Sequence, residues 1–289
     1  MRSPVAAAPR SNEGAVAAAR RVNIAINSLS KIFRRGGMET HALDGIDLDI
    51  HYGEFLSIVG PSGCGKSTIL RIIGGLIPPS AGSIRVDGRE VKGPETNLGI
   101  VFQKPILLDW RTVLGNVLFQ AEMRKLDTRD YEERARRLLA AVGLAEFEDR
   151  YPRELSGGMQ QRASIARALI HEPPLLLMDE PFGALDALTR EQMRVDLEEL
   201  WLDTNKTVVF ITHSIDEAVL LSDRVVVLSP RPGRIERIMD IELPRPRGLA
   251  ARKLPAFNAA VEPITQIFLA RGVLHSGKSG LAVVKTDID

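Results

Sequence analysis

The chain alternates short apolar segments with amphipathic stretches from Val22 onward. Five of the apolar segments contain almost no polar position, which is typical of strands that are covered on both faces of their sheet. They are Phe55–Gly60, Leu98–Phe102, Leu175–Asp179, Val208–Thr212 and Arg224–Leu228. Asn23–Ser28 and Ile46–Ile50 instead alternate apolar and polar residues, which predicts half-buried strands. The pattern therefore predicts an α/β fold with a largely parallel sheet and an antiparallel β edge.

Helical spacing replaces these short runs in the middle of the chain. Thr112–Arg124 and Asp130–Val142 carry apolar residues on one face and charged residues on the other. Gly143 follows the second stretch, where a glycine commonly ends a helix. We expect an inserted α-helical subdomain at about residues 104–155.

The predicted domain extends from residue 22 to residue 243, and both ends of the chain differ from it. Residues 1–21 are rich in Ala, Arg and Ser and lack a continuous apolar segment, which favours a disordered tail over a signal peptide. Residues 244–289 are expected to form a C-terminal extension. The stretches SPRPGRI and LPRPRG, which lead into it, predict turns because Pro and Gly interrupt regular structure.

Composition and charge narrow the functional classes. The chain has 289 residues, of which 44% are hydrophobic and 26% are charged, as in globular proteins. A net charge of +1 argues against a large nucleic-acid-binding surface. Cys64 is the one cysteine, so no intrachain disulfide forms and a reducing compartment is favoured. No apolar run approaches the ~18 residues that a membrane-spanning helix needs.

The most specific chemical signal is GPSGCGKST at Gly60–Thr68, which matches the phosphate-binding motif G-x-x-x-x-G-K-[ST]. It follows an apolar run and leads into a helical stretch, so backbone N–H groups and a helix N-terminus would surround phosphate oxygens. A simple glycine turn is the alternative. The residues predicted to bind a nucleotide here are Gly60, Pro61, Ser62, Gly63, Cys64, Gly65, Lys66, Ser67 and Thr68.

Three residues of this loop have individual roles in that prediction. Lys66 is expected to neutralise the β- and γ-phosphates, and the Ser67 hydroxyl to bind Mg²⁺. The thiol of Cys64 is expected to lie next to the phosphates, and the alternative is that it faces away.

Polar residues at three strand ends supply the remaining chemistry. Asp179 is placed to hold Mg²⁺ and Glu180 to polarise the attacking water. Adjacent strand residues point to opposite faces, so the two carboxylates cannot do the same job. His213 ends the next apolar strand, where it would hydrogen-bond the γ-phosphate or its water. Gln103 ends another strand, and its amide would contact the metal or the water. The alternatives are an ordinary acidic strand end, a solvated histidine and a loop amide.

The octet LSGGMQQR at Leu155–Arg162 is a second candidate phosphate-binding surface. Ser156 stands at an N-cap position, Gly157 and Gly158 leave backbone N–H groups uncovered, and a helix follows. One molecule could use both surfaces on one nucleotide, or two molecules could each contribute one. The residues alone leave both arrangements open.

These motifs resemble, in order and spacing, the nucleotide-binding subunits of ATP-binding cassette (ABC) transporters from about Val22 to Ile241. The octet LSGGMQQR is the signature of that family. The matching positions are Gly60–Thr68, Gln103, Leu155–Arg162, Leu175–Glu180, Ala184–Asp186 and His213.

The resemblance implies an ATPase with ATP and Mg²⁺ as cofactors and a head-to-tail homodimer. It implies that Ser156, Gly157 and Gly158 act on the nucleotide held by the second copy. Asp186 resembles the residue that connects the two sites, and Phe33 resembles the aromatic that stacks on adenine, with core packing as the alternative. Lys66, Gln103, Glu180 and His213 would be catalytic, and Ser67, Gln103 and Asp179 would hold the metal.

FQKPILLDWRTVLGNV and SPRPGRI are most similar to bacterial importers of the nitrate, sulfonate, taurine and pyrimidine-precursor group. Asp109 is a departure, since the family usually has a proline there. The resemblance implies transmembrane permease subunits as partners and, indirectly, a periplasmic or extracellular solute-binding protein. It implies no nucleic-acid partner and a peripheral location on the cytoplasmic face of the bacterial inner membrane.

Two other classes share part of this evidence. An ABC-type ATPase of DNA repair or translation would usually carry a long coiled-coil insertion or a second cassette, and the stretch between Gln103 and Ser156 has room only for a compact helical subdomain. A nucleotide-binding regulator without turnover is the non-enzyme alternative. Four residues argue against it: Lys66, Asp179, Glu180 and His213.

Overall fold

The computed structural model describes residues 21–274, apart from the side chain of residue 128. The predicted tail, except residue 21, and the last part of the predicted extension lie outside the described residues. Within the described range the strands are β1 (Val22–Arg35), β2 (Met38–His51), β3 (Phe55–Val59), β4 (Ala81–Val86), β5 (Arg89–Glu90), β6 (Leu98–Val101), β7 (Leu175–Asp179), β8 (Thr207–Ile211), β9 (Arg224–Leu228) and β10 (Ile235–Asp240).

Seven α-helices lie between or after these strands in the described range. They are α1 (Lys66–Ile73), α2 (Val113–Met123), α3 (Thr128–Ala141), α4 (Gly157–Leu169), α5 (Ala187–Thr204), α6 (Ile215–Leu221) and α7 (Pro255–Ala270). Short 3-10 turns occur at Ala145–Phe147, Pro152–Glu154 and Leu249–Lys253.

The larger sheet has the order β10-β9-β3-β8-β7-β6, in which β10 is antiparallel to β9 and the other strands are parallel. Strand β7 shows why the parallel strands of this sheet are almost entirely apolar. Leu175 and Leu177 pack in a core cluster with α1 and the smaller sheet, and Leu176 and Met178 pack in a second cluster with the helices. Both faces of the sheet are covered at its parallel strands, so none of these five strands has an exposed position, whereas the edge strand β10 has several. The prediction of a largely parallel sheet is confirmed.

The smaller sheet is antiparallel, with the order β2-β1-β4-β5. Its first two strands are much longer than the alternating segments that predicted them. The register between β1 and β2 shifts near Ser28, which has a φ of 45°, and again between Leu29 and Ile32. Each shift moves the following side chains to the other face, so the alternation breaks although the strand continues.

The helices α2, α3 and α4 form the inserted α-helical part of the chain. The predicted stretches correspond to α2 and α3, and the Thr112 hydroxyl caps α2 by accepting a hydrogen bond from the Gly115 backbone N–H. Val117, Leu139 and Ala166 come from the three helices and are buried in one cluster. Helix α4, which follows the octet, therefore belongs to the same packed unit as α2 and α3.

Residues 244–274 pack against the end of the larger sheet. Phe257 and Phe268 of α7 share a core cluster with Leu220 of α6. The guanidinium of Arg247 is buried there and donates to four backbone carbonyls, those of Val219, Ser222, Ile241 and Leu243. Burial lowers the pKa of Arg247 to about 10, so this group stays charged at neutral pH. The described part of the extension is thus attached to the helix that follows His213, and a domain end at residue 243 stays a prediction.

Candidate active site

The glycine-rich loop connects β3 to α1 and lies against the smaller sheet. Gly65 caps α1 with a φ of 108°. A Cβ atom at this position would lie 2.5 Å from Cδ2 of Leu43 and 2.8 Å from the carbonyl oxygen of Ala42. Both the conformation and the space therefore require glycine at position 65.

An open pocket of about 370 Å³ lies over this loop. The side chain of Lys66 is largely buried beside it, and the ammonium group donates to the carbonyl oxygens of Gly60 at 2.8 Å and Pro61 at 3.1 Å. Phe33 lines the pocket and is 41% exposed, so its ring is available for stacking. The residues that line the pocket are Phe33, Thr40, Ala42, Ser62, Gly63, Gly65, Lys66, Ser67, Thr68, Gln103, Glu180 and Arg231.

The side chain of Cys64 faces the core instead of this pocket. It is 1% exposed and packs in the cluster that contains Ile69 and Leu228. A Cβ atom at Gly60 would lie 2.8 Å from its sulfur, so the thiol fills the space beneath the loop. We expected this thiol to lie next to the phosphates, and its packing in the core corrects that expectation. A contact between the backbone of Cys64 and the phosphates stays a prediction.

Asp179 and Glu180 leave the end of β7 in different directions. Asp179 lies on the same face of β7 as Leu175 and Leu177. Its Oδ1 accepts a hydrogen bond of 2.9 Å from the Ser67 hydroxyl. Glu180 follows the strand with a φ of 47°, which turns its side chain toward the pocket. Burial raises the pKa of Asp179, and the hydrogen bond from Ser67 opposes that rise.

Three of the predicted residues meet at the carboxylate of Glu180. Its Oε2 accepts a hydrogen bond of 2.9 Å from the Gln103 amide and lies 3.4 Å from Nδ1 of His213. The Thr212 hydroxyl, next to His213, donates to the carboxylate of Glu217 at 2.5 Å. This hydrogen bond braces the backbone just before His213. Burial raises the pKa of Glu217.

The predicted second phosphate-binding surface is not part of this pocket. Ser156 caps α4, and its hydroxyl accepts a hydrogen bond of 3.2 Å from the Met159 backbone N–H. Gly157 follows at the exposed start of the helix, and Gly158 lies near the side chain of Leu185. None of these three lines the pocket over the glycine-rich loop of the same chain.

Asp186 also lies apart from the pocket. It caps α5 and accepts a hydrogen bond of 3.0 Å from the backbone N–H of Thr189. Its pKa is held below the usual value by the hydrogen bonds from Thr189. The carboxylate therefore stays ionised on an exposed surface near the octet.

Sequence reasoning did not identify two contributions to the site. Arg231 lines the pocket, and its Nε donates to the carbonyl oxygen of Gly63 at 3.2 Å. The buried amide of Gln161 in α4 donates to the carbonyl oxygen of Phe102, next to Gln103, at 3.0 Å. Both contacts join segments that are distant in the sequence, so no local pattern indicated them.

The oxygen atoms of Ser67 and Asp179 fit a magnesium ion. A hydroxyl and a buried carboxylate converge there, and oxygen donors are the ligands that this ion prefers. In residues 21–274 no group of three or more His, Cys, Asp and Glu residues could hold a metal. Magnesium is usually bound by one or two carboxylates and completes its shell with phosphate and water oxygens, so these two side chains fit the ion.

Comparisons with known proteins show which proteins this chain resembles. A family model described as ABC transporter matches residues 43–183. An uncharacterised ABC transporter ATP-binding protein of Methanocaldococcus jannaschii is 52% identical over 78% of this chain and 85% of its own length. The taurine import ATP-binding protein of Rhizobium johnstonii is 50% identical over 84% of this chain and 92% of its own. The aliphatic sulfonates import ATP-binding protein of Bacillus licheniformis is 40% identical over 86% and 94%.

Two solved structures have the same fold. A dimeric bacterial ABC transporter cassette superposes with a TM-score of 0.70 and 36% sequence identity. A post-hydrolysis state of a dimeric ATP-binding cassette with ADP and Pi superposes with a TM-score of 0.68 and 34% identity. Each alignment covers 75% of this chain and 98% of the other chain.

We expect a maleimide to label Cys64 at least ~100-fold more slowly in the folded chain than in urea, with or without Mg-ATP, because labelling requires local opening. Burial raises the pKa of this thiol and so lowers the fraction of reactive thiolate near neutral pH. Mass spectrometry measures the rate, and Cys64→Ala is the control for labelling elsewhere. Fast labelling that Mg-ATP prevents would instead place the thiol among the phosphates.

Proposed function

We propose a function on the premise that the chain belongs to the ABC transporter family and is one of its ATPases. It hydrolyses ATP to drive the import of a small solute through a membrane permease. The arrangement around Glu180 carries the proposal, because this carboxylate lines the nucleotide pocket and contacts both Gln103 and His213. A regulator without turnover would not need this arrangement.

In this mechanism each group has one task. Lys66 exchanges the carbonyls of Gly60 and Pro61 for the β- and γ-phosphates of ATP. Ser67 and Asp179 would hold Mg²⁺, which would neutralise charge on the phosphates. Glu180 accepts a proton from the attacking water.

Gln103 and His213 hold the Glu180 carboxylate in position before ATP binds. His213 also donates a hydrogen bond toward the γ-phosphate, and Gln103 contacts the metal or the water. Phe33, which is partly exposed at the pocket, stacks on adenine.

Two copies of the chain complete each other's sites. Ser156, Gly157 and Gly158 do not line the pocket of their own chain, which leaves the exposed helix N-terminus free for a nucleotide held by another copy. Asp186 lies near this surface and would connect the two sites. The dimeric cassettes of the same fold support a homodimer. In this proposal the copies face each other head to tail, so that the octet of one copy meets the nucleotide of the other.

In this proposal a permease segment binds in a cleft between the larger sheet and the helical subdomain. The cleft has a volume of about 730 Å³, and Phe102, next to Gln103, lines it together with Met123 and Arg167. The side chain of Met123 is 65% exposed. A partner bound here would lie one residue from a group that contacts Glu180, so transport and hydrolysis would be linked.

The named relatives support the proposed solute, and the proposed permease partner sets the place in the cell where the chain acts. None of the helices within residues 21–274 is long and apolar enough to cross a membrane. The chain acts at the cytoplasmic face of the bacterial inner membrane, where it binds the permease. Taurine, aliphatic sulfonates and chemically related small anions are the proposed solutes, because similar proteins are named for taurine and sulfonate import. A solute-binding protein outside the membrane delivers the solute to the permease.

Glu180→Gln keeps the shape of the side chain and removes the base. ATP hydrolysis should fall by the ~10²–10⁴-fold typical of a lost general base, while ATP still binds and closed dimers accumulate. Phosphate release measures turnover, and size-exclusion chromatography with ATP measures dimers. Glu199→Gln, on the exposed side of α5, is the matched control and should leave both unchanged. Near-normal turnover of the Glu180 variant would exclude the proposed role.

A mixed dimer tests whether the octet acts on the other copy's nucleotide. Lys66→Ala spoils the glycine-rich loop and Ser156→Arg spoils the octet, so each variant alone should be nearly inactive. With sites shared between copies, the mixed dimer has one site with both defects and one intact site. ATPase activity should then exceed the sum of the two variants when they are assembled with the permease.

ATP-driven closure of the mixed dimer, measured by crosslinking, is scored beside hydrolysis, since turnover can require two competent sites. If each chain completed its own site, mixing would create no intact site. No gain in either measurement, with mixed dimers shown to form, would contradict the shared site.

The cleft and the solute class are tested together in bacterial membranes. Met123→Glu places a charge in the cleft and should reduce both recovery of a multi-spanning partner with the tagged chain and uptake of labelled taurine or alkanesulfonate. Met38→Glu adds the same charge at a side chain that is 74% exposed and does not line the cleft, and it should change neither. Equal recovery with both variants would exclude this docking site. If the unmodified chain recovers its membrane partner but the membranes take up no taurine or alkanesulfonate, the proposed solute class is excluded.

A further inference from the structure

Residues 229–234, in the SPRPGRI stretch, fold back against the glycine-rich loop. The Gly233 N–H donates to the carbonyl of Ala42 at 3.0 Å, and the Asp44 N–H donates to the carbonyl of Gly233 at 3.1 Å. A Cβ atom at Gly233 would lie 2.1 Å from the carbonyl oxygen of Cys64. This segment is therefore held against the loop by backbone contacts, and the position of Arg231 follows from them.

The two arginines of this segment have different surroundings. Arg234 is neutralised by Asp44, whose Oδ2 lies 2.6 Å from Nη2 and 2.9 Å from Nε. Arg231 has no carboxylate within 4 Å among the residues that the structure describes. Its single hydrogen bond within that range is the one from Nε to the carbonyl of Gly63 at 3.2 Å. The guanidinium thus brings an unneutralised charge and free N–H donors to the pocket that it lines with Lys66.

We propose that Arg231 is a second cation for the phosphate groups of the bound nucleotide, beside Lys66. A guanidinium presents a planar fork of N–H donors that matches phosphate oxygens and forms charge-assisted hydrogen bonds with them. The Gly63 carbonyl orients the fork from the loop side. Its N–H groups then contact the polyphosphate, whose charge of about −4 exceeds what the ammonium of Lys66 and one Mg²⁺ ion neutralise together. This inference rests on ATP binding at the glycine-rich loop and adds a residue that the family motifs do not include.

Arg231→Gln should weaken ATP binding about tenfold, as expected for one lost charge-assisted contact. The affinity for AMP should stay within twofold of that of the unmodified chain, because AMP lacks the β- and γ-phosphates. Affinities are measured by displacement of a fluorescent ATP analogue, at chain concentrations too low for dimers. Thermal unfolding without nucleotide should match that of the unmodified chain. Arg231→Lys keeps the charge and should recover part of the loss.

Arg234→Gln is the matched control, since it removes the same charge from the same segment outside the pocket. Its ATP affinity should stay within twofold of the unmodified chain. Lys66→Ala tests the premise separately: if the unmodified chain binds ATP and this variant does not, nucleotide binding at the loop stands whatever Arg231 does.

Three results would overturn the proposal for Arg231. ATP affinity of Arg231→Gln within twofold of the unmodified chain would exclude a phosphate contact. An equal loss for ATP and AMP, or a lower unfolding temperature without nucleotide, would show that the residue only braces Gly63. A defect confined to ATP-driven dimerisation would assign Arg231 to a carboxylate of the second copy.

Discussion

The close packing around Gly65 is the constraint on which the rest of the site depends. The loop passes the smaller sheet so tightly that no side chain fits at Gly65, and Gly233 meets the carbonyl of Cys64 from another side. The thiol of Cys64 fills the space below. The smaller sheet, the end of β9 and the segment after it therefore all set the position of one loop. A loop held on three sides keeps the geometry that binding a polyanion requires, at little additional cost of ordering when the nucleotide arrives.

A break in the strand alternation after Asp179 explains how two adjacent carboxylates serve one site. Asp179 continues the alternation of β7 and meets Ser67, whereas the left-handed conformation of Glu180 redirects its side chain toward Gln103 and His213. A non-glycine residue at positive φ is strained, and such strain persists where the surrounding structure supports it. Here the backbone N–H of Glu180 donates to the carbonyl of Ile211 at 2.9 Å, which anchors the turn to β8.

The sequence predicted the parts of the fold that depend on local pattern. Five buried strands, the helices α2 and α3, and the glycine-rich loop follow from continuous apolar runs, helical spacing and a motif. The long β1 and β2 strands were recognised only in part, because register shifts break the alternation. The inward direction of Cys64 and the place of Arg231 depend on segments that meet only in the folded chain. No rule of periodicity or spacing indicates such contacts.

Phe102 and Gln103 form a contact between the two candidate phosphate-binding surfaces of one chain. The Gln103 amide donates to Glu180, and the carbonyl of the preceding Phe102 accepts from the buried Gln161 of α4, the helix that begins at the octet. Phe102 also lines the cleft assigned to the permease. The candidate nucleotide pocket, the cleft and the octet helix thus converge on two consecutive residues. If ATP and the permease both bias the arrangement of this turn, each must alter the affinity for the other by the same factor, because coupling between binding sites is reciprocal. A permease that favours ATP binding through this turn would therefore bind more tightly to the ATP-loaded chain.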